Sequence, residues 1–281
     1  MKRVLLTTMQ RDVLEQVIAQ HGIIVTTQNI VEKLSFATEE SKYRFVSQLS
    51  EAGWLVRIKH GLYQIADISS LGTLTISPYT VAQLLHPESY VSFQAALHFH
   101  GLFDQSLRSV SCVTTKQKAS TEVQGVRYFY VKTKADYFFG FTREAFDGQW
   151  VQIAQAEKAV IDLMQFRRSS TTVDMVVEIL RDNHHNVDLD RLVTYALRSP
   201  VAVQRTLGFL LDTLHLGGKQ LHQAVKQSTS VTKLTDESSQ YSSACTTIPT
   251  SPEKRYLYDH YPPHHPPTTD CHQLQHPQIH A

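Results

Sequence analysis

The chain has 281 residues, 42% of them hydrophobic and 19% charged, enough apolar material for two folded units of ordinary size. A net charge of +1 excludes a strongly basic protein that coats nucleic acid by charge alone, so any nucleic-acid contact has to be local and shaped. Three cysteines, Cys112, Cys245 and Cys271, without a CxxC spacing, fit a reducing compartment better than a disulfide framework and point to the cytoplasm. The apolar run after Met1-Lys2-Arg3 stops at Thr7, short of an export signal, and no stretch of 18 apolar residues offers a membrane span.

From Gln10 to Gln20 the residues Val13, Leu14, Val17 and Ile18 recur with helical spacing, and Gly22 reads as the residue that closes this first helix. Ile23-Ile24-Val25 is a β-branched run that predicts a short strand, after which Thr26 or Thr27 caps a second helix through Leu34. Thr38 caps a third helix to about Ala52, with Phe45, Val46 and Leu49 facing inward. Ser41, Lys42, Arg44, Ser47 and Gln48 are then expected outside, a set rich in donors for phosphates and base edges on the helix that a helix-turn-helix uses for reading. Taken alone, Lys42 and Arg44 read better as a solvated helix face, an order that their position within the three-helix and hairpin pattern reverses, and Tyr43 reads equally as a residue that stacks on a sugar or one that completes the core.

Gly53 ends the third helix, Trp54 to Ile58 alternates as a strand, Lys59-His60-Gly61 turns, and Leu62 to Ile65 returns. Three helices followed by this hairpin predict a winged helix over residues 1–66, with Arg57, Lys59 and His60 placed where a wing meets the sugar-phosphate backbone of double-stranded DNA. Residues 67–77, rich in Ser, Thr and Gly, read as a linker.

Ser77 and Pro78 start a fourth helix that Pro87 stops. Short strands are expected at 90–92, 110–114, 123 and 126–131, with a helix over 94–100 and an aromatic strand or turn at 137–141. After Trp150 the pattern reads as helical over 153–167, 173–181, 189–197 and 201–214. A mixed sheet followed by a helical bundle makes residues 78–227 an α+β unit, and no phosphate-binding glycine motif occurs. Residues 228–281 carry His260, His264, His265, His272, His276 and His280 among prolines and read as a low-complexity tail rather than a zinc site, because no ligand spacing repeats.

No catalytic constellation, metal site or cofactor motif emerges. His98 and His100 lie about 200° apart around a helix and cannot chelate one ion together. Lys158 and Asp162 lie i,i+4 on one helix face and can pair as ions, and Glu157 lacks a nucleophile or metal partner for base catalysis. Arg167, Arg168, Lys116, Lys118, Arg127, Lys132 and Lys134 could form a second nucleic-acid surface.

The string from Ala52 to Tyr63, AGWLVRIKHGLY, resembles the helix-to-wing segment of AbiEi family antitoxins. Pro87 to Leu102, ending in His-Gly-Leu, and Ala156 to Leu163, AEKAVIDL, are similar to two further signatures of that family, in the family's order. The resemblance implies a type IV toxin-antitoxin or abortive-infection antitoxin and not an enzyme. Such a protein represses its own promoter, through inverted repeats in the expected case, and counters a nucleotidyltransferase-like toxin, with or without touching it. The alternative is a winged-helix regulator whose second domain senses a ligand or another protein.

Overall fold

A computed structural model describes residues 5–36, 38–67, 69–106, 108–226, 232 and 234. The chain is α+β, as its sequence pattern indicates. Helix α1 (Thr8–His21) starts at a capping box in which Thr7 and Gln10 satisfy each other's backbone N–H, and it ends where Gly22 takes a positive φ and donates its N–H to Ile18. Strand β1 (Ile24–Thr26) leads into the short α2 (Thr27–Val31), capped by Thr26, one of the two threonines expected to do so, and ending three residues before Leu34. Helix α3 (Glu39–Glu51) follows its Thr38 cap, and β2 (Leu55–Lys59) and β3 (Leu62–Ile65) close a three-stranded antiparallel sheet in the order β1-β3-β2. Val13, Leu14, Val17, Ile30, Phe45, Val46, Leu49, Trp54 and Leu55 fill the core of this first module.

The second module opens with α4 (Pro78–Leu85), capped by Ser77, then β4 (Ser89–Ser92) and α5 (Phe93–Phe99). Strands β5 (Ser109–Thr114), β6 (Thr121–Val123), β7 (Val126–Lys132), β8 (Phe141–Phe146) and β9 (Gln149–Ala154) complete a six-stranded mixed sheet. Its order is β6-β7-β5-β4-β9-β8, with β4 parallel to β9 and β5 parallel to β7. Helices α6 (Ala156–Phe166), α7 (Ser170–Asp182), α8 (Leu189–Leu197), α9 (Val201–Thr213) and α10 (Lys219–Val225) follow. The stretch from Ile153, expected to be helical, is instead strand to Ala154, and the helix begins at Ala156. Antiparallel pairing with β8, from Phe141↔Ala154 to Phe146↔Gln149, settles the competition in favour of the sheet.

The pleat sorts the sheet's two faces. Val91, Cys112 and Tyr130 stand opposite one another, and Tyr130 meets α4, its hydroxyl donating to the Ala82 carbonyl at 3.4 Å. Tyr90 and Ser92 point the other way, to α6, where both hydroxyls donate to Asp162 at 3.0 and 2.7 Å. Asp162 also pairs with Lys158 one turn earlier, and the two side chains are 0% and 1% exposed. Burial pushes the Asp162 carboxyl above its ordinary range against the pull of Lys158, Ser92 and Tyr90. The expected i,i+4 pair is therefore a sealed network that pins α6 to β4.

Two positions require glycine. At Gly53, with φ +83°, an added Cβ would stand 3.1 Å from the Gly72 backbone nitrogen, which donates to the Gly53 carbonyl. At Gly140, with φ +74°, it would meet Tyr195 and Lys158 carbons at 3.0 and 3.1 Å. The residues read as a linker are thus held against the first module. At the other end, Thr232 is 7% exposed and accepts from Arg205 at 3.3 Å, and Leu234 packs against the second core, both beyond the boundary expected at 227. The remainder of the expected tail, with its six histidines, Cys245 and Cys271, lies outside the described residues.

Candidate nucleic-acid interface

Helix α3 is made by its ends and by one buried row. Thr38 accepts from the Ser41 N–H at 3.3 Å, Glu39 and Glu40 lie at the positive end of the helix dipole, and Phe45, Val46 and Leu49 are buried. At 3.6 residues per turn this row leaves Glu40, Arg44, Ser47 and Glu51 on the line farthest from the core, flanked by Tyr43 and Gln48, and all six are exposed. Ser41 is exposed on one flank. Tyr43, 52% exposed, is not part of the core, which answers the choice its sequence context left open.

Lys42 differs from its expected outward orientation. It lies in the same helical row as Val46 and Leu49, its side chain is only 21% exposed, and its ammonium donates to Glu39 at 2.7 Å. Residue type suggested an outward charge, but the helical row places this one against the core edge. The residues that sequence reasoning missed on the outer line are the carboxylates Glu40 and Glu51, which the same spacing would have located. The face is therefore amphoteric, and Arg44 is the cation at its centre.

The hairpin carries Arg57 and His60 at its exposed edge, the Arg57 guanidinium 3.4 Å from His60 Nδ1. Between Arg57 and Lys59 the pairing with β3 shifts register, from Arg57↔Tyr63 to Lys59↔Leu62. Ile58 is 3% exposed and belongs to the core of the second module. The Lys59 ammonium donates to the Leu84 carbonyl at 2.5 Å and approaches that of Leu85 at 3.4 Å. Its expected freedom at the hairpin tip is thus replaced by a contact with the end of α4. Next to that contact His86 stands edge-on to Tyr130, with ring centroids 4.3 Å apart. Burial first, then the charges of Lys118 and Lys59, hold its imidazole below the usual histidine range.

The cations proposed for a second surface divide. Arg167 donates to Ser111 at 2.8 Å and lies 4.6 Å from the Phe93 ring, and Arg168 is 9% exposed, so both serve the interior. Lys116 pairs with Glu88 at 2.8 Å, while Lys132 and Lys134 are exposed. His98 and His100 have separate partners, the Tyr79 hydroxyl at 3.0 Å and the Ala154 carbonyl at 2.8 Å. Glu157 accepts from the Asp188 N–H at 2.8 Å and faces Arg191 at 3.5 Å, which ties α6 to the start of α8. Among the described residues no group of three or more His, Cys, Asp or Glu side chains could hold a metal ion, and no helix is long and apolar enough to cross a membrane.

Comparison with known proteins adds one match. Residues 12–66 match the model of the family described as transcriptional regulator, AbiEi antitoxin. The matched stretch begins in α1 and ends just after β3, so it contains α3 and the hairpin; residues 87–102 and 156–163 lie beyond it. A search of curated proteins finds no match.

Proposed function

We propose that the chain is a DNA-binding antitoxin and autorepressor of a toxin-antitoxin or phage-defence operon. In this reading the order α1-β1-α2-α3-β2-β3 is a winged helix. The outer face of α3 enters a major groove, where Arg44 and Gln48 have the donor geometry for guanine and adenine edges and Ser41 and Tyr43 reach the flanking sugar-phosphate. Arg57 and His60 meet the backbone from the hairpin. Lys42 and Lys59, whose ammonium groups are engaged by Glu39 and the α4 carbonyls, make no contact with phosphate in this reading. Residues 1–66 form the reading module, 67–77 the joint, and the unit from 78 onward counters a nucleotidyltransferase-like toxin.

The observation that carries this reading is an exposed row of polar α3 side chains and an exposed basic hairpin within the segment that matches a regulator family. Its test is a set of single variants titrated against the duplex upstream of the gene. Arg57→Ala weakens binding to all sequences alike and lowers the salt slope, whereas Arg44→Ala and Gln48→Ala also narrow the gap between that duplex and a scrambled one. Equal losses on both duplexes for all three variants would misplace the reading helix. For the antitoxin half, co-expression with the adjacent gene product should restore growth; failure of full-length protein to rescue speaks against it.

A further inference from the structure

We infer that Lys59 is a positioning residue that fastens the hairpin to helix α4, so that the second module fixes where the hairpin stands on DNA. This rests on the DNA-binding reading above. Helix α4 stops at Leu85 because His86 precedes a proline and adopts an extended backbone, with φ −140° and ψ 91°. Its last carbonyls are consequently left without intrahelical donors, at the negative end of the helix dipole. The Lys59 ammonium supplies one at 2.5 Å, to Leu84, and stands 3.4 Å from the Leu85 oxygen. The register shift between Arg57 and Lys59 is the kind of irregularity that re-aims a side chain away from its neighbour's direction.

The other end of α4 is held by the same hairpin. Gln64 on β3, 1% exposed, accepts from the Thr75 and Ile76 N–H groups at 2.9 and 3.3 Å and donates to the Thr75 hydroxyl at 2.6 Å. Ile58 on β2 and Ile76 at the entrance to α4 share the second module's core. Helix α4 is in turn tied to the six-stranded sheet, because Asp147 at the β8-β9 turn accepts from Ser77 N–H and the Thr80 hydroxyl, both at 2.7 Å. The helix is therefore a strut between the hairpin and the sheet. A partner that displaces α4 in the second module moves the hairpin, and binding on either side is linked to the other.

The test uses the full chain at 25 °C and a fluorescent duplex of the upstream sequence. Lys59→Met keeps the aliphatic stem and removes the ammonium; Gln64→Leu changes a buried group that cannot touch DNA. Both should weaken binding by about fivefold or more while the slope of log affinity against log salt stays at the wild-type value. A slope that falls by about 0.9 in Lys59→Met would make Lys59 a phosphate contact and overturn the inference. So would unchanged affinity in both variants with only a lowered melting temperature, which is the signature of a structural role alone. Hydrogen exchange of residues 57–63 in the absence of DNA should quicken in Lys59→Met, and unchanged exchange would also overturn it. This arm needs no duplex, so a wild-type chain that binds no DNA would sink the proposed function separately.

Discussion

Removing Asp162 tests how the second module is held together. The substitution Asp162→Ala leaves the Lys158 ammonium 1% exposed and without its carboxylate, and leaves the Tyr90 and Ser92 hydroxyls without their acceptor. Breaking one side of a sealed ion pair costs about 3–5 kcal/mol, and each orphaned hydroxyl about 1–3 more. The Phe139 ring, 4.9 Å from the ammonium, recovers only a part through cation–π attraction. A total of at least about 5 kcal/mol, at about 2–4 °C per kcal/mol for a unit this long, lowers the melting temperature by at least about 10 °C. Urea denaturation followed by circular dichroism measures it. Asp162→Asn keeps an oxygen for Tyr90 and Ser92 but strands the charge, so most of the loss should persist; combining it with Lys158→Met should recover more than half. A loss below about 1 kcal/mol for Asp162→Ala, or no coupling in the double variant, would refute the account of this network.

Three further outcomes follow from the same structure. A chain ending at Gln227 loses the Thr232 contact with Arg205 and the packing of Leu234, and should unfold about 1–3 kcal/mol more easily than one ending at 240; equal urea midpoints would show that these contacts contribute nothing. Gly140→Ala places a Cβ about 3 Å from Tyr195 and Lys158 carbons at a positive φ and should cost about 2–4 kcal/mol in thermal melts, whereas a neutral result would mean that α8 shifts freely. Burial pushes the Cys112 thiol up to about 12 and raises Tyr90, Tyr128 and Tyr130 above the usual phenol range, so these groups hold their protons more tightly folded than unfolded. Their contribution is complete below pH 9 and is lost as pH climbs from there toward 12; a urea midpoint that does not fall between pH 8.5 and 11 would contradict it.

The first module was legible because its signals are local. Thr38 as a cap, Gly22 as a stop and the row Phe45-Val46-Leu49 each act within a few residues, and the hairpin is written in the alternation on both sides of His60-Gly61. What escaped depends on distant partners or on competing periods. Strand β9 runs through Gln155 straight into α6, so its apolar positions merge with the helical repeat, and only β8 and β4 beside it select the strand. Helix α10 is a short segment after Gly217-Gly218 and has little periodicity to read. The Lys158–Asp162 pair was visible as i,i+4, but its sealing was not, because Tyr90 and Ser92 are about 70 residues away.

The candidate site divides in the same way. Exposure of Arg44, Gln48, Arg57 and His60 follows from helix and strand periods alone. The engagement of Lys42 depends on which helical row it occupies, information the sequence contains but charge type obscures. The engagement of Lys59 depends on a helix 25 residues further along the chain, and no local pattern encodes it.

The central claim, that the first module reads DNA through α3 and the hairpin, is tested most directly by hydrogen exchange of the full chain with and without the upstream duplex. Slowed exchange confined to the exposed turns of α3 and residues 57–63, and absent with a scrambled duplex at the same salt, is the predicted result. Protection that appears only in the second module, or none at concentrations where the duplex is saturated, would contradict it.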